Sequence, residues 1–496
     1  MQWRTAVVKN KSIIFADMKI MYCIRGLHNS GGMERVLSVK ANLLASRGHE
    51  VSIVVLRLKG RKPFFPIDPS VNIVDLSAPY LSLPGHSSSA NATSDSPRST
   101  VSSTVGSAPG PATGSASTES SASPVTSAAG NAASPASCSA STESNAASPA
   151  SCSARTESSA SPVSSAAGIT SVPSTMAAER LKGSVRERLS RVVEMLDPDV
   201  CVSLCGPEVR ILPAVAGGRP CVAEYHFSHD KFYRKYGGIF MYPYAWLRTH
   251  MLERAVSEYD CMVTLTEHDL PIWKRHCRRV ERIFNPVTTP PGQVSRLAEK
   301  RMIAVGRLED QKNFKDLVSA WSIVAERCPD WRLEIFGEGK LEHALRSQIA
   351  RLGLTGSVIL RGVVKDIASE YSNSSALLMT SLHEGFPLAL VEASSFGLPL
   401  ISYDCPTGPS EIIVDAGDGG GAGNVPAATF DQAAGNTPNG YLVPVGDVRT
   451  LADRICRIAS DDNLRLRLGA ASKASSRRFT PETIISAWEH LFSSLL

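Results

Sequence analysis

On both sides of a long low-complexity stretch, short apolar runs alternate with amphipathic segments, and this rhythm dictates βαβ units built on parallel sheets. In the first half the runs fall at 19–24, 51–56, 200–204, 221–224, 261–264 and 282–284. In the second they fall at 302–305, 333–336, 358–360, 376–379 and 400–402. Amphipathic stretches at 33–46, 314–326, 340–351 and 388–396 supply helices between them. An α/β architecture of two doubly wound domains, joined near Asn285-Pro286, follows. Ligands of such sheets bind at the carboxyl ends of the strands, here in a cleft between the two sheets.

The low-complexity stretch, 86–175, is almost entirely Ser, Ala, Thr, Pro and Gly, too poor in apolar surface to offset its ordering entropy, and is expected to be disordered. Its tandem repeat, NAASPASCSASTES at 131–144 and NAASPASCSARTES at 145–158, has no hydrophobic face to stack and reads as an expanded loop. A second Gly/Ala-rich insertion spans 415–439. The predicted organisation is an extension at 1–17, an N-terminal domain at 18–85 and 176–286, a C-terminal domain at 287–478, and a last helix at 479–496 packing back on the N-terminal domain.

A net charge of +5 over 496 residues is too weak for a dedicated nucleic-acid binder, so no nucleic-acid partner is expected. The eleven cysteines show no zinc-finger spacing. Cys201 and Cys205 read as buried free thiols, which suits a reducing compartment. No run approaches the roughly 20 apolar residues needed to span a bilayer. A cytoplasmic location is therefore expected.

Chemistry concentrates in Ser381-Leu-His-Glu-Gly-Phe-Pro-Leu-Ala-Leu-Val-Glu392-Ala, which leaves the strand at 376–379 and opens a helix at Pro387. Amides of Gly385, Phe386 and Leu388 at that helix N-terminus suit a diphosphate, and Pro387 lacks an N–H. Glu384 and Glu392 flank the site; one carboxylate can hold a sugar and the other a ribose. Alternatively, Glu384 complements the helix dipole and Glu392 lies on a solvated face. Arg307 and Lys312, after the strand at 302–305, are suited to phosphate recognition or are solvated loop charges. Gly31-Gly32 opens the helix after the first strand. His226 follows the strand at 221–224, as an active-site or a structural histidine. Asp197-Pro198-Asp199 is formally a metal-binding Asp-x-Asp, but Pro and Asp turn chemistry explains it. Between Tyr225 and Leu252, aromatics interleave with Lys231, Arg234, Lys235 and Arg248, as a core-packing helix or a surface for anionic lipid.

In order along the chain, Gly31-Gly32-Met-Glu34-Arg35, Gly306-Arg307-Leu-Glu-Asp-Gln-Lys312-Asn313 and the Glu384-x7-Glu392 segment resemble the family 4 glycosyltransferases. Phe284-Asn285-Pro286-Val287, Asp404-Cys-Pro-Thr-Gly-Pro-Ser-Glu411 and Asn439-Gly-Tyr-Leu-Val-Pro extend the likeness, which leans to enzymes building bacterial surface polysaccharides. The resemblance implies a GT-B fold of two Rossmann-like domains and retaining transfer from a nucleotide-sugar, read as a UDP-sugar, to a glycan or lipid-linked acceptor. With Arg307, Lys312 and the helix amides stabilising the leaving diphosphate in place of a divalent metal, no metal and no cofactor are expected. Glu384 and His226 are assigned to the reacting sugar and Arg307 and Lys312 to the diphosphate. Gly31 and Gly32 are assigned to the phosphates or acceptor, and Gly385, Phe386, Pro387, Leu388 and Glu392 to the donor. A nucleotide-sugar epimerase on the same fold and a non-catalytic nucleotide-sugar-binding partner remain alternatives. Peripheral contact with the inner face of the plasma membrane is also expected.

Overall fold

A computed structural model describes residues 17–78, 183–236, 238, 240–290, 292–417 and 437–496. The extension before Asp17, the 86–175 segment and most of 415–439 lie outside the described residues.

The N-terminal sheet contains β1 (Lys19–Ile24), β2 (Glu50–Val55), β3 (Asn72–Asp75), β4 (Val200–Ser203), β5 (Cys221–Glu224), β6 (Cys261–Thr264) and β7 (Val280–Arg282). The C-terminal sheet contains β8 (Arg301–Val305), β9 (Arg332–Phe336), β10 (Val358–Gly362), β11 (Ala376–Met379), β12 (Leu400–Tyr403) and β13 (Gly440–Val443). Their orders are β3-β2-β1-β4-β5-β6-β7 and β10-β9-β8-β11-β12-β13, and neighbouring strands pair in parallel. Each sheet therefore reverses its direction of growth once, between β1 and β4 and between β8 and β11. Those reversals are where loops diverge above the strand ends and leave room for a ligand.

Helices of the N-terminal domain are α1 (Gly32–Ser46), α2 (Val185–Leu196), α3 (Leu212–Val215), α4 (Lys231–Lys235), α5 (Tyr242–Val256) and α6 (Leu270–Trp273). The C-terminal domain adds α7 (Phe314–Arg327), α8 (Glu342–Arg351), α9 (Ile367–Ser372), α10 (Leu388–Ser395), α11 (Pro409–Ile412), α12 (Val448–Ser460) and α13 (Asp462–Ser475), and α14 (Pro481–Ser493) ends the chain. Several starts are capped by side chains: Ser184 and Glu187 form a capping box on α2, and Asp447 and Asp461 accept from Thr450 N at 2.9 Å and Leu464 N at 2.8 Å.

Strand side chains alternate between two cores. On β1, Met21 and Cys23 pack beneath one face while Ile20, Tyr22 and Ile24 pack on the other. Burial on both faces is what gives a parallel strand its uninterrupted apolar run. The second core is completed by Leu37, Ala41 and Leu44 of α1 and by Ile484, Ile485, Trp488, Leu491 and Phe492 of α14. The last helix thus belongs to the N-terminal core although it follows the C-terminal domain in sequence.

Two strands differ from the sequence expectation. β3 was not foreseen, because this edge strand has a single buried position, Val74. β7 ends at Arg282 rather than covering 282–284. Phe284 instead stacks on Phe386 (centroids 5.5 Å apart) and meets Phe479 edge-on at 5.1 Å, so its apolarity serves the junction between the domains. Asp197 and Asp199 act as turn residues. Asp197 ends α2 in a left-handed conformation and pairs with Arg219 at 2.6 Å, and Asp199 accepts the Lys19 amide at 2.7 Å.

Candidate active site

At the C-terminal reversal, the loops after β8 and β11 are laced together. Leu382 N donates to the Gln311 carbonyl at 2.8 Å, Gln311 Nε2 to the His383 carbonyl at 2.9 Å, and Thr380 Oγ1 to the Lys312 carbonyl at 3.0 Å. This lacing sets Lys312 Nζ 2.6 Å from Glu384 Oε1. The Lys312 side chain crosses Gly306, where a Cβ would sit only 3.0 Å from its Cε. Thr407, after β12, donates its hydroxyl to the Glu384 carbonyl. It does so at φ 96°, a strained value for a β-branched residue of the kind that gathers at ligand sites.

Pro387 caps α10 without an N–H of its own, and the amides of Gly385, Phe386 and Leu388 donate to no acceptor among the described residues. Unpaired amides at a helix N-terminus make a site for an anion. Across the cleft, a Cβ on Gly385 would lie 2.4 Å from the His226 carbonyl, and one on Gly32 would lie 3.2 Å from Leu388 Cδ1. Gly31 is bare for a local reason: the Glu34 carboxylate folds back to within 2.2 Å of where its Cβ would be. The structure therefore brings Gly32, His226, Lys312, Glu384, Gly385 and Leu388 together. Phe386 is buried against Phe284 and Phe479. Arg307 stays outside the cluster, exposed and 3.3 Å from Glu309.

Glu392 is not on a solvated face. It is 3 % exposed, and its carboxylate takes Arg35 Nη1 at 2.9 Å, Thr288 Oγ1 at 2.7 Å and the Tyr371 hydroxyl at 3.2 Å. Arg35 comes from α1, so this ion pair crosses between the domains.

His226 rests on a chain of buried charges that sequence reasoning did not find. Its Nε2 lies 3.2 Å from Glu224 Oε1 without an aligned hydrogen bond, and Lys40 Nζ reaches both Glu224 oxygens at 2.7 Å. Lys40 in turn lies 3.6 Å from the Trp488 ring centre and 5.3 Å from that of Tyr22. Burial alone would raise the Glu224 carboxyl, but the Lys40 ammonium and His226 outweigh it and bring its pKa down to about 2. Burial lowers Lys40, with Glu224 opposing. The available signal was a lysine within the apolar stripe of α1, beside Leu37, Ala41 and Leu44, since a charge on a buried face needs a buried partner.

Beside these loops a cavity of roughly 720 Å³ opens at the ends of β11, β12 and β13, lined by Leu382, Asp404, Leu442 and, from the N-terminal domain, Arg234. Burial, then Arg234, lowers the pKa of His383, which favours a neutral imidazole there.

Residues 290–475 match the family described as "Glycosyl transferases group 1". An uncharacterized glycosyltransferase of Haemophilus influenzae is 27% identical over 238 residues, 47% of this chain and 62% of that protein. The amylovoran biosynthesis glycosyltransferase AmsD of Erwinia amylovora is 30% identical over 195 residues, covering 39% and 48%. The lipopolysaccharide 1,6-galactosyltransferase of Salmonella typhimurium is 35% identical over 142 residues, covering 26% and 38%. The chain thus spans less than two thirds of each of these relatives. Two solved structures align along 96% of it at 14% identity: Anabaena HepE in complex with UDP and glucose (TM-score 0.56, all of that chain) and a Thermosynechococcus elongatus sucrose-phosphate synthase (TM-score 0.57, 99% of that chain). At that identity they speak for the fold alone, which is GT-B, two Rossmann-like domains.

Proposed function

We propose that the protein is a retaining glycosyltransferase of the family 4 type, moving a sugar from a UDP-sugar to a glycan or lipid-linked acceptor. One observation carries this reading: free amides at the start of α10, a lysine and a glutamate converge at one reversal point, directly against the His226 loop of the other domain. The amides of Gly385, Phe386 and Leu388 receive the diphosphate, and Lys312, exchanging its contact with Glu384, neutralises the charge that grows on the leaving group. Arg307 swings in from solvent to join it. Glu384 holds the transferred sugar, with His226, oriented by Glu224 and Lys40, on the acceptor side. Glu392 accepts the ribose hydroxyls by loosening its hold on Arg35 and Tyr371. In this scheme no metal is required.

The curated relatives named for amylovoran and lipopolysaccharide synthesis support a glycan acceptor, and the UDP and glucose in HepE support the donor class. We further place the protein in the cytoplasm at the inner face of the membrane. No helix among the described residues is long and apolar enough to cross a bilayer. Support for surface contact comes from exposed Phe240, Tyr242 and Trp246 near Lys235 and Arg248.

The test is product analysis with a panel of nucleotide sugars and lipid or glycan acceptors, with and without EDTA. A new glycosidic bond of unchanged anomeric configuration, formed without added metal and not abolished by EDTA, is expected. An isomerised donor without transfer identifies an epimerase, and thermal stabilisation without turnover identifies a binding partner; either result overturns the proposal.

A further inference from the structure

The proposed transfer makes no use of His229, Glu253 or His276, yet three separate elements bring their donor atoms to one point. His229 lies on the loop between β5 and α4, Glu253 in the last turns of α5, and His276 just beyond α6. His229 Nε2 is 2.9 Å and His276 Nε2 is 3.4 Å from the same oxygen, Glu253 Oε1, and all three donor atoms lie within 4.8 Å of one another. Around a tetrahedral zinc ion with ligands at about 2.0–2.2 Å, neighbouring donor atoms are about 3.3–3.6 Å apart. The 3.4 Å spacing falls in that range, and the 2.9 Å spacing needs only a small outward shift to reach it. His250, on the same helix as Glu253, holds Nδ1 3.5 Å from Glu253 Oε2 and offers a third nitrogen beside the group.

The simpler account is a carboxylate hydrogen-bonded to imidazoles. Two features favour a cation. Among the described residues no lysine or arginine pairs with Glu253, so a carboxylate only 15 % exposed has no permanent counter-charge. The rings are also set in place by packing. His229 meets the fully buried Trp273 edge-on at 5.0 Å and stacks on His276 with an interplanar angle of 16°, while its amide donates to Asp269 at 3.3 Å. Solvent still reaches the site, with the His276 side chain 31 % exposed.

We propose that His229, Glu253 and His276 form a zinc site, completed by His250 or a water. The ion ties α5 and α6 to the loop that begins at His226, whose backbone abuts Gly385. It therefore braces one wall of the cleft from a position outside the proposed transfer chemistry.

The experiment uses the full chain, stripped with chelator and dialysed, and titrated with zinc chloride by calorimetry and metal analysis, with cobalt(II) spectra in parallel. One equivalent should bind, and cobalt should show a four-coordinate visible spectrum without a thiolate charge-transfer band. Glu253→Gln and His276→Ala should each weaken uptake by at least the roughly 10–100-fold expected of lost outer-shell partners. Should Glu253→Gln not fold, His276→Ala, which removes a part-exposed ring, carries the test alone. Absence of a bound equivalent, uptake unchanged in the folded variants, or a thiolate band from any of the eleven cysteines would overturn the proposal.

Discussion

Glu384 and Glu392 sit eight positions apart, but their surroundings give them different work. Glu384 meets Lys312 at the mouth of the proposed anion site, whereas Glu392 is held by Arg35, Thr288 and Tyr371 in the interior. Glu384→Ala should therefore lower turnover severely while leaving the affinity for free UDP nearly unchanged. If Glu392 also takes the ribose, Glu392→Ala should weaken UDP by roughly ten- to 150-fold, the loss of a charge-assisted hydrogen bond. It should also lower the melting temperature, because the buried Tyr371 hydroxyl loses its acceptor. Calorimetry with UDP separates the two: a lower melting temperature with undiminished affinity would reduce Glu392 to an interdomain tie. A second test concerns the pair beneath His226. Lys40→Met strands a buried carboxylate and should cost about 3–5 kcal/mol, much of it recovered in Lys40→Met/Glu224→Gln. Because the Glu224 carboxyl is depressed to about 2 in the folded protein, the unfolded chain takes up that proton first as pH falls. Its contribution is present above the ordinary carboxylate range and disappears as pH drops from there toward about 2. Thermal melts of Glu224→Gln should accordingly show a smaller acid-dependent loss than those of the wild type over that window.

At the level of elements, what the sequence revealed depended on whether the cause was local. Strands buried on both faces were visible as apolar runs, and the loops holding Gly31, Lys312 and Glu384 were visible because each is a contiguous segment at a strand end. β3 was invisible because only Val74 is buried, and β7 was misplaced because Phe284 is apolar for the sake of Phe386 and Phe479. The Lys40–Glu224 pair joins residues 184 positions apart, and no local pattern encodes that pairing. The same non-local logic governs α14, whose Trp488 is 1 % exposed and covers the Lys40 ammonium. Trp488→Ala should remove both core volume and this contact, costing about 3–5 kcal/mol. Chemical denaturation should show the loss in the N-terminal domain although the substitution lies near the C-terminus. A change of less than about 1 kcal/mol would mean that α14 is not part of that core.

Across the whole molecule, polar and aromatic contacts join the two domains beside the linker. Besides Arg35–Glu392, Glu411 accepts the Glu267 amide at 2.5 Å and Arg282 Nη1 at 3.1 Å, and Phe284, Phe386 and Phe479 form an aromatic knot beside the linker at Asn285-Pro286. Glu411 lies in α11 with its carboxylate turned to Glu267 and Arg282 of the N-terminal domain, so its removal takes no donor from the proposed diphosphate site. A tie of this kind, worth on the order of 1 kcal/mol, shifts an open–closed equilibrium by about fivefold. Glu411→Ala should therefore leave the melting temperature within a few degrees of wild type yet enlarge the radius of gyration measured by small-angle scattering. Saturating UDP should restore the compact value, because a ligand that favours the closed form redraws the balance by its differential affinity. Arg327→Ala, which breaks the Arg327–Asp453 pair within the C-terminal domain, serves as the control and should leave the scattering unchanged. Identical curves for Glu411→Ala and wild type, with and without UDP, would mean that the Glu411 contacts do not govern closure and that the aromatic knot and Arg35–Glu392 hold the domains unaided.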